Sequence, residues 1–402
     1  MPHITPYSEY TVRSTCRLCG GNLSGSLVYL GSTALANEYA DETSKEQDEF
    51  QLYLVQCLEC DHVQLPVVVN PERLFRNYKY VSGTSPMMRR HLSDYSREIV
   101  ERAGWRPLNV LEIGSNDGTL LREILFRDPH AHVLGVDPAV EIAGRATYEG
   151  TLTLPTFFGP KLVPYLRAAR PAGFGVVVAN NVFAHIDDLN SIAASVSAVL
   201  HDNGIFVFEV GYLADVLDRG LVDVIYHEHL SYHHLMPLVP FLARHGLRVF
   251  DAHRTDVQGG SLRVWASKDV WRPISSRVSD LLGAETDMDP ERLTMKIELL
   301  RGRVTSALRG SVACFGAPAK LTTLTSIIGL CYDVVYDDNP HKLGKYTPGW
   351  HVPIVSSERL AQDNPDTLLI ASWNFATEII ERVRGWGYRG RIVVPLPEVQ
   401  VL

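Results

Sequence analysis

The segment VIYHEHLSYHH, residues 224 to 234, holds four histidines, two tyrosines and a glutamate in eleven residues. Three chemistries suit that composition. An imidazole is unprotonated at neutral pH yet basic enough to accept a proton, so a histidine among tyrosine hydroxyls is suited to removing an acidic hydrogen while the hydroxyls steady the anion left behind. Read this way, one of the histidines is a base and the tyrosines beside it supply hydroxyls. His229 and His233, spaced i and i+4, offer zinc ligation as a second reading, but the order H-E-x-x-H is missing and no acidic third ligand follows by spacing. A solvated loop is the third, chiefly for His233 and His234. Side chains alternate along an extended strand, so Glu228 and His229 face one ligand only if the chain turns there.

A second chemical signal lies near the amino terminus. CRLCG and CLECDH set Cys16, Cys19, Cys57 and Cys60 as two C-x-x-C pairs, each able to wrap a turn around one metal so that four thiolates meet in a tetrahedron. Gly20 and Gly21 give the first pair the backbone freedom of a knuckle. Zinc is the expected ion, in a structural role because four protein ligands leave no open position. GSLVYLG and EFQLYLVQC between the pairs read as strands. Cys314 and Cys331, in VACFG and IGLCYDV, read as core residues.

Both sets of residues need a scaffold, and the middle of the chain supplies one. LNVLEIGSNDGTLLREIL reads as strand, glycine turn and helix, and HVLGVD follows as a strand ending in Asp137, placed to take the two hydroxyls of a ribose. A nucleoside is the implied ligand. The turn is not G-x-G-x-x-G, so a dinucleotide pyrophosphate is poorly served. Glu112, Gly114 and Gly118 instead form E-x-G-x-x-x-G, with Asn116 and Asp117 inside it, and GVVVANNV and GIFVFEV continue a doubly wound sheet. Ligands sit at the carboxyl ends of such strands, which brings in Asn180, Asn181 and His185 of ANNVFAHIDDL. There His185 either faces the ligand or caps the following helix.

DPERLTMKIELLRGRVTSALRG predicts a long amphipathic helix, after which strand and helix alternate again into a second parallel α/β sheet. Its first turn, GAPAK, sets Gly316 and Lys320 at a helix start, and DDNPHKLGKYTPG carries Lys342, Lys345 and Tyr346; lysines at such places suit a phosphate-bearing substrate or are simply solvated. The 402 residues suffice for two or three domains. Hydrophobic content of 46% and charged content of 21% exclude a disordered or fibrous chain, and the net charge of −8 argues against nucleic acid or an anionic membrane as partner. No apolar run reaches bilayer length and the amino terminus is unlike a secretion signal, so a cytoplasmic protein without a disulfide framework is expected.

E-x-G-x-x-x-G resembles motif I of the class I methyltransferases, which bind S-adenosylmethionine. The four-cysteine knuckle, LEIGSNDG, NVFAH, YHEH and DDNPHKLGKYTPG, in that order from Cys16 to the carboxyl terminus, resemble the nucleotide-sugar C-methyltransferases, most closely the enzymes that methylate carbon 3 of thymidine-diphosphate 4-keto-deoxysugars. The resemblance implies an α/β chain of three domains: a zinc-binding domain over residues 1–75, an S-adenosylmethionine domain over 76–270 and a second Rossmann-like domain over 271–402. A thymidine- or guanosine-diphosphate 4-keto sugar would lie between the last two. It also implies that Tyr80, His185, Tyr226, Glu228 and His229 line the reacting sugar, with His229 the base and His185 its competitor, Glu228 orienting the base or anchoring a sugar substituent, and Tyr226 and Tyr80 supplying hydroxyls, and that the protein is a monomer. Rival readings are an O- or N-methyltransferase of the same sugars, a zinc-bearing RNA or protein methyltransferase, and a non-catalytic nucleotide-binding module.

Overall fold

A computed structural model describes residues 9–42, 47–78, 80–104 and 107–402. In the amino-terminal part, β1 (Tyr10–Val12), β2 (Val28–Ala34), β3 (Glu49–Gln56), β4 (Val63–Gln64) and β5 (Val67–Val69) make short antiparallel pairings. The alternation in EFQLYLVQ gives β3 one buried face of Phe50, Leu52 and Leu54.

The central part opens with a helix, Pro86–Ala103, whose start is fixed by Pro86 in the first turn and by Ser85 Oγ accepting from the Met88 amide. Behind it come β6 (Asn109–Ile113), β7 (His132–Val136), β8 (Thr153–Leu154), β9 (Phe174–Asn180) and β10 (Leu200–Gly211). After these, β11 (Ser231–Tyr232) leaves for another sheet, while β12 (Arg248–Thr255) and β13 (Ser261–Ser267) return. The seven strands lie in the order β12-β13-β10-β9-β6-β7-β8, parallel except for β13, which runs against both neighbours. Covered on both faces, β9 is the apolar run FGVVVA, closed by Asn180 at its carboxyl end. The helix Ser276–Ala284 packs on β12, where Arg277 Nε donates to Asp251 at 3.0 Å.

The long helix expected from DPERLTMKIELL spans Arg292–Ala307. It leads into β14 (Val312–Phe315), β15 (Val334–Tyr336), β16 (Ile354–Val355), β17 (Thr367–Ile370), β18 (Arg391–Val394) and β19 (Gln400–Val401), ordered β16-β15-β14-β17-β18-β19 and parallel but for β19. Cys314 is buried in β14 as expected, whereas Cys331 is exposed. IGLCYDV is a connection between the helix Ala319–Ile328 and β15, so apolar neighbours in sequence did not bring that thiol into the core.

The histidine-rich segment belongs to none of these units alone. β11 pairs with β4 and completes an antiparallel sheet β11-β4-β3-β2, with Ser231 opposite Gln64 and Tyr232 opposite Val63. Val222, Ile225 and Tyr232 share one core with Leu52, Leu54 and Val63 on one side and Leu321, Leu324 and Trp373 of the carboxy-terminal part on the other. Residues 222–232 are therefore clamped between the first and last thirds of the chain.

Candidate active site

Within that clamp the chain turns where the chemistry requires it, with the His229 amide donating to Tyr226 O at 2.9 Å. His229 Nδ1 lies 2.7 Å from Val224 O, a group that only accepts, so Nδ1 carries the proton. Nε2 therefore offers its lone pair, and Tyr226 donates its hydroxyl to it at 3.0 Å. Burial holds the His229 imidazole down to about 4, with the Lys320 charge acting the same way. The ring is neutral at physiological pH and its basic nitrogen is pinned by one phenol. Tyr226 is held well above the usual phenol range by burial, then by the neighbouring Glu228.

Glu228 is buried and accepts from Asn37 Nδ2 at 2.6 Å, while its other oxygen has no hydrogen-bond partner. Burial raises its carboxyl to about 7 against the opposing pull of Asn37 and Tyr78. The ring of His185 lies 5.0 Å from that of His229 and 5.5 Å from Phe75. It does not cap the next helix: Asp188 does, accepting from the Ser191 amide at 3.0 Å. Desolvation keeps the His185 imidazole well below its ordinary value.

The remaining histidines of the segment point elsewhere. His227 Nε2 meets Gln51 O of β3 at 3.2 Å, and His233 packs 5.3 Å from His62, ring to ring. His233 and His234 are buried, so the solvated-loop reading fails for them; the backbone of His233 bridges Tyr212, its carbonyl accepting from the Leu213 amide at 2.8 Å. The zinc reading for His229 and His233 fails as well, because the two rings serve different neighbours. Among the described residues the only cluster of potential metal ligands is the four cysteines.

The glycine turn after β6 is built for close approach. Gly114 has φ 66°, and a Cβ there would sit 2.3 Å from Val182; Gly118 has φ 73°, with Thr151 Oγ1 at 2.1 Å from such a Cβ. Glu112 is buried with Oε2 unpartnered, its carboxyl pushed well above the usual range by burial and by Asp117 and Asp137. Asn180 Oδ1, which shares the cavity with Glu112, Gly114 and Asn116, is likewise unpartnered. Unsatisfied acceptors in a cavity at strand carboxyl ends fit a cationic sulfonium cofactor bearing an amine. Asp137 accepts from the Asn116 and Ala139 amides, both at 2.8 Å, and so also braces the turn.

Asn116 and Asp117 hold a strap. Asn116 Oδ1 accepts from the Ser82 amide at 2.9 Å, its Nδ2 donates to Tyr80 O at 2.9 Å, and Asp117 Oδ2 accepts from the Gly83 amide at 3.1 Å. Tyr80, on that strap, is 45% exposed. Asn181 adopts φ 54° with its amide on Glu209 O at 2.7 Å, shaping the loop to His185.

The three lysine positions diverge. Lys342 Nζ donates to Ala317 O at 2.7 Å, Lys345 pairs with Asp41 at 3.0 Å, and the backbone of Tyr346 exchanges hydrogen bonds with Ala40, so this loop seals the carboxy-terminal part against the first. Lys320 alone has a buried Nζ without a hydrogen-bond partner. Sequence reasoning missed Asn37, Phe75 and Tyr78. Tyr78 stands two residues before Tyr80, but Asn37 meets Glu228 across 191 residues, and no local pattern announces such a contact.

The cysteine thiols gather within 4.8 Å of one another, with Cys16 and Cys60 Sγ 3.7 Å apart and Cys19 and Cys57 Sγ 3.4 Å apart. Tetrahedral ligands at a zinc–sulfur distance of about 2.3 Å stand about 3.8 Å apart. Amides of Leu18, Gly21 and Glu59 point at three of the sulfurs, as thiolates require. The donor set fits zinc.

Comparison with known proteins divides the chain in three. Residues 16–75 match the family model of a zinc binding domain, 88–252 that of a methyltransferase domain, and 256–397 that of the C-methyltransferase C-terminal domain. The C-methyltransferase NovU of Streptomyces niveus is 34% identical over 409 residues, spanning 96% of each chain. Among solved structures, magnesium protoporphyrin IX methyltransferase from Synechocystis PCC 6803 with bound SAM matches 44% of this chain and 78% of its own, at 13% identity and a TM-score of 0.33. No helix among the described residues is long and apolar enough to cross a membrane.

Proposed function

The chain belongs to the C-methyltransferase family that joins a zinc-binding, a methyltransferase and a C-terminal domain, and from that premise we propose that it methylates carbon 3 of a nucleotide-linked 4-keto-6-deoxysugar. The observation that carries this reading is the Val224–His229–Tyr226 chain, a half-buried neutral imidazole with a defined tautomer whose basic Nε2 is shared with one phenol. Methylating an oxygen or an amine needs no carbon acid to be deprotonated, whereas a carbon beside a ketone does.

Glu112, Gly114, Gly118, Asp137 and Asn180 would hold S-adenosylmethionine, with Asn116 and Asp117 securing the strap above it. When bound, that cofactor supplies an electrophilic methyl group on a sulfonium. The chain's own part is proton transfer and placement. The ring hydrogen on carbon 3 passes to the His229–Tyr226 pair: either Nε2 takes it directly once Tyr226 turns aside, or the phenol oxygen takes it while its own proton moves to Nε2. Val224 O keeps the charged imidazole oriented. Tyr80 and His185 face the sugar from the central domain, Asn181 shapes the loop beside it, and Lys342, Lys345 and Tyr346 close the wall that separates it from solvent. The nucleotide lies toward the carboxy-terminal sheet, thymidine diphosphate being the first to test. The protein acts as a cytoplasmic monomer, its three domains divided near residues 75 and 270.

The deciding experiment supplies labelled S-adenosylmethionine and a thymidine-diphosphate 4-keto-6-deoxyhexose. A branched sugar with the label on carbon 3 is expected, preceded without cofactor by exchange of the carbon-3 hydrogen in deuterated water. Label on oxygen or nitrogen, without exchange, would turn the reading to the heteroatom reactions.

Glu228 predicts a pH dependence. Its carboxyl titrates at about 7, so it is neutral below and ionised above that pH. As an ionised acceptor for the substituent on carbon 3, it should make kcat/KM rise through about pH 7, with a slope of about tenfold per unit on the acid side. Glu228→Gln should be slower and lack that limb. A profile in which the variant retains the limb assigns it to another group.

A further inference from the structure

Lys320 stands out because its ammonium is buried and makes no hydrogen bond, although it belongs to the first turn of the helix Ala319–Ile328. Burying an unpaired charge is strongly unfavourable, and such charges are usually met by an opposite one. Among the described residues it lies over the Trp373 ring, 4.9 Å from Nζ. That contact does not supply an anion.

Both the helix and the ring are fastened to the catalytic turn. Thr323 Oγ1 donates to Ile225 O at 2.8 Å, and Trp373 Nε1 donates to Asp223 Oδ2 at 2.6 Å. Asp223 and Ile225 flank Val224, whose carbonyl fixes the His229 tautomer. Lys320 is thus held against the same turn as the base, from the carboxy-terminal side, and its charge is felt by His229. Lys342, half-buried in the same domain, is occupied by Ala317 O, so among the described lysines of this domain Lys320 is the buried ammonium left open to a ligand.

We propose that Lys320 is a catalytic residue whose ammonium faces the ketone oxygen of the substrate and stabilises the enolate. When the carbon-3 hydrogen leaves as a proton to the His229–Tyr226 pair, the C–H electron pair moves into the ring and the carbonyl pair onto oxygen. Lys320 compensates that new negative charge without giving up its own proton. The pair returns to carbon as the new carbon–carbon bond forms to the sulfonium methyl, leaving a neutral thioether. A cation beside the oxyanion and a base beside the carbon is the arrangement that separates the two charges created in one step. The assignment rests on the carbon-methylation reading above.

The test uses the full-length zinc-loaded enzyme, a thymidine-diphosphate 4-keto-6-deoxyhexose and two uncharged variants, Lys320→Met and Lys320→Gln. Three quantities are read: carbon-3 hydrogen exchange in deuterated water without cofactor, kcat, and KM for the sugar nucleotide. Both variants are expected to lose about 10²- to 10³-fold in exchange rate and in kcat, the loss typical of removing one oxyanion partner, with KM far less affected. Exchange at the rate of the unaltered enzyme overturns the proposal, and a raised KM with unchanged kcat transfers the ammonium to the diphosphate. If Lys320→Met does not fold, Lys320→Gln gives the same reading with an uncharged polar end one atom short of the ammonium. Failure of the underlying function is distinct: the unaltered enzyme itself would then neither exchange the hydrogen nor methylate carbon.

Discussion

His229→Ala should lower kcat by between about 10² and 10⁴-fold, the range for loss of a positioned general base, and should leave S-adenosylmethionine binding intact. The separation of effects follows from architecture. The proposed cofactor cradle lies at the carboxyl ends of β6, β7 and β9, whereas His229 stands on a segment that completes the amino-terminal sheet. Tyr226→Phe should cost less, because it frees the Nε2 lone pair while removing one hydroxyl. His185→Ala separates the two candidate bases. Its ring lies 5.0 Å from that of His229, tilted by 54°, and is kept neutral by burial, so its loss should alter sugar placement more than proton removal. Hydrogen exchange at carbon 3, measured beside isothermal titration of the cofactor, reads both quantities; exchange abolished by His185→Ala and retained by His229→Ala would reverse the two roles.

The central and carboxy-terminal sheets were legible because their strands are short apolar runs at regular spacing, and buried parallel strands leave that trace in any sequence. The metal centre was legible because its ligands come in local pairs. What the sequence could not disclose was that Ser231–Tyr232 would cross to pair with β4, since a two-residue strand carries no periodicity and its partner lies far earlier in the chain. That single crossing explains most of the differences at the site. It buries His233 and His234 where a wet loop was an open reading, turns His227 onto β3, and brings Asn37 to Glu228. The lysine-bearing loop differs for a related reason. Helix starts and lysines suggest anions, but Lys342 and Lys345 found protein acceptors once the first and last thirds of the chain met. Asn116 and Asp117, read as cofactor ligands from their place in the glycine turn, have side-chain oxygens engaged by the strap that carries Tyr80.

Zinc removal tests the same crossing. Folding energy of about 10 to 16 kcal/mol is delivered by a structural zinc in isolated finger peptides, which matches or exceeds the entire stability of an ordinary domain. Here the knuckle grips the site from two directions. Arg17, between Cys16 and Leu18, donates to Asp187 at 3.0 Å and so steadies the loop that presents His185. Gln64, opposite Ser231, and Leu65, whose amide donates to Leu230 O at 3.0 Å, lie four and five residues beyond Cys60 and anchor the catalytic segment. Stripping the metal, or Cys57→Ser, should therefore abolish sugar methylation while sparing much of the cofactor affinity, and should raise amide exchange in residues 224–234 as sharply as in the knuckle itself. Cys331→Ser, at an exposed thiol away from the cluster, should do neither. Metal analysis should find one zinc per chain before treatment. A metal-free protein that still methylates, or whose 224–234 amides stay protected, would mean that the amino-terminal sheet holds the catalytic turn by its apolar core alone, through Leu52, Leu54 and Val63 against Ile225 and Tyr232. The two causes differ in what they respond to: restoring zinc rescues the first and leaves the second unchanged.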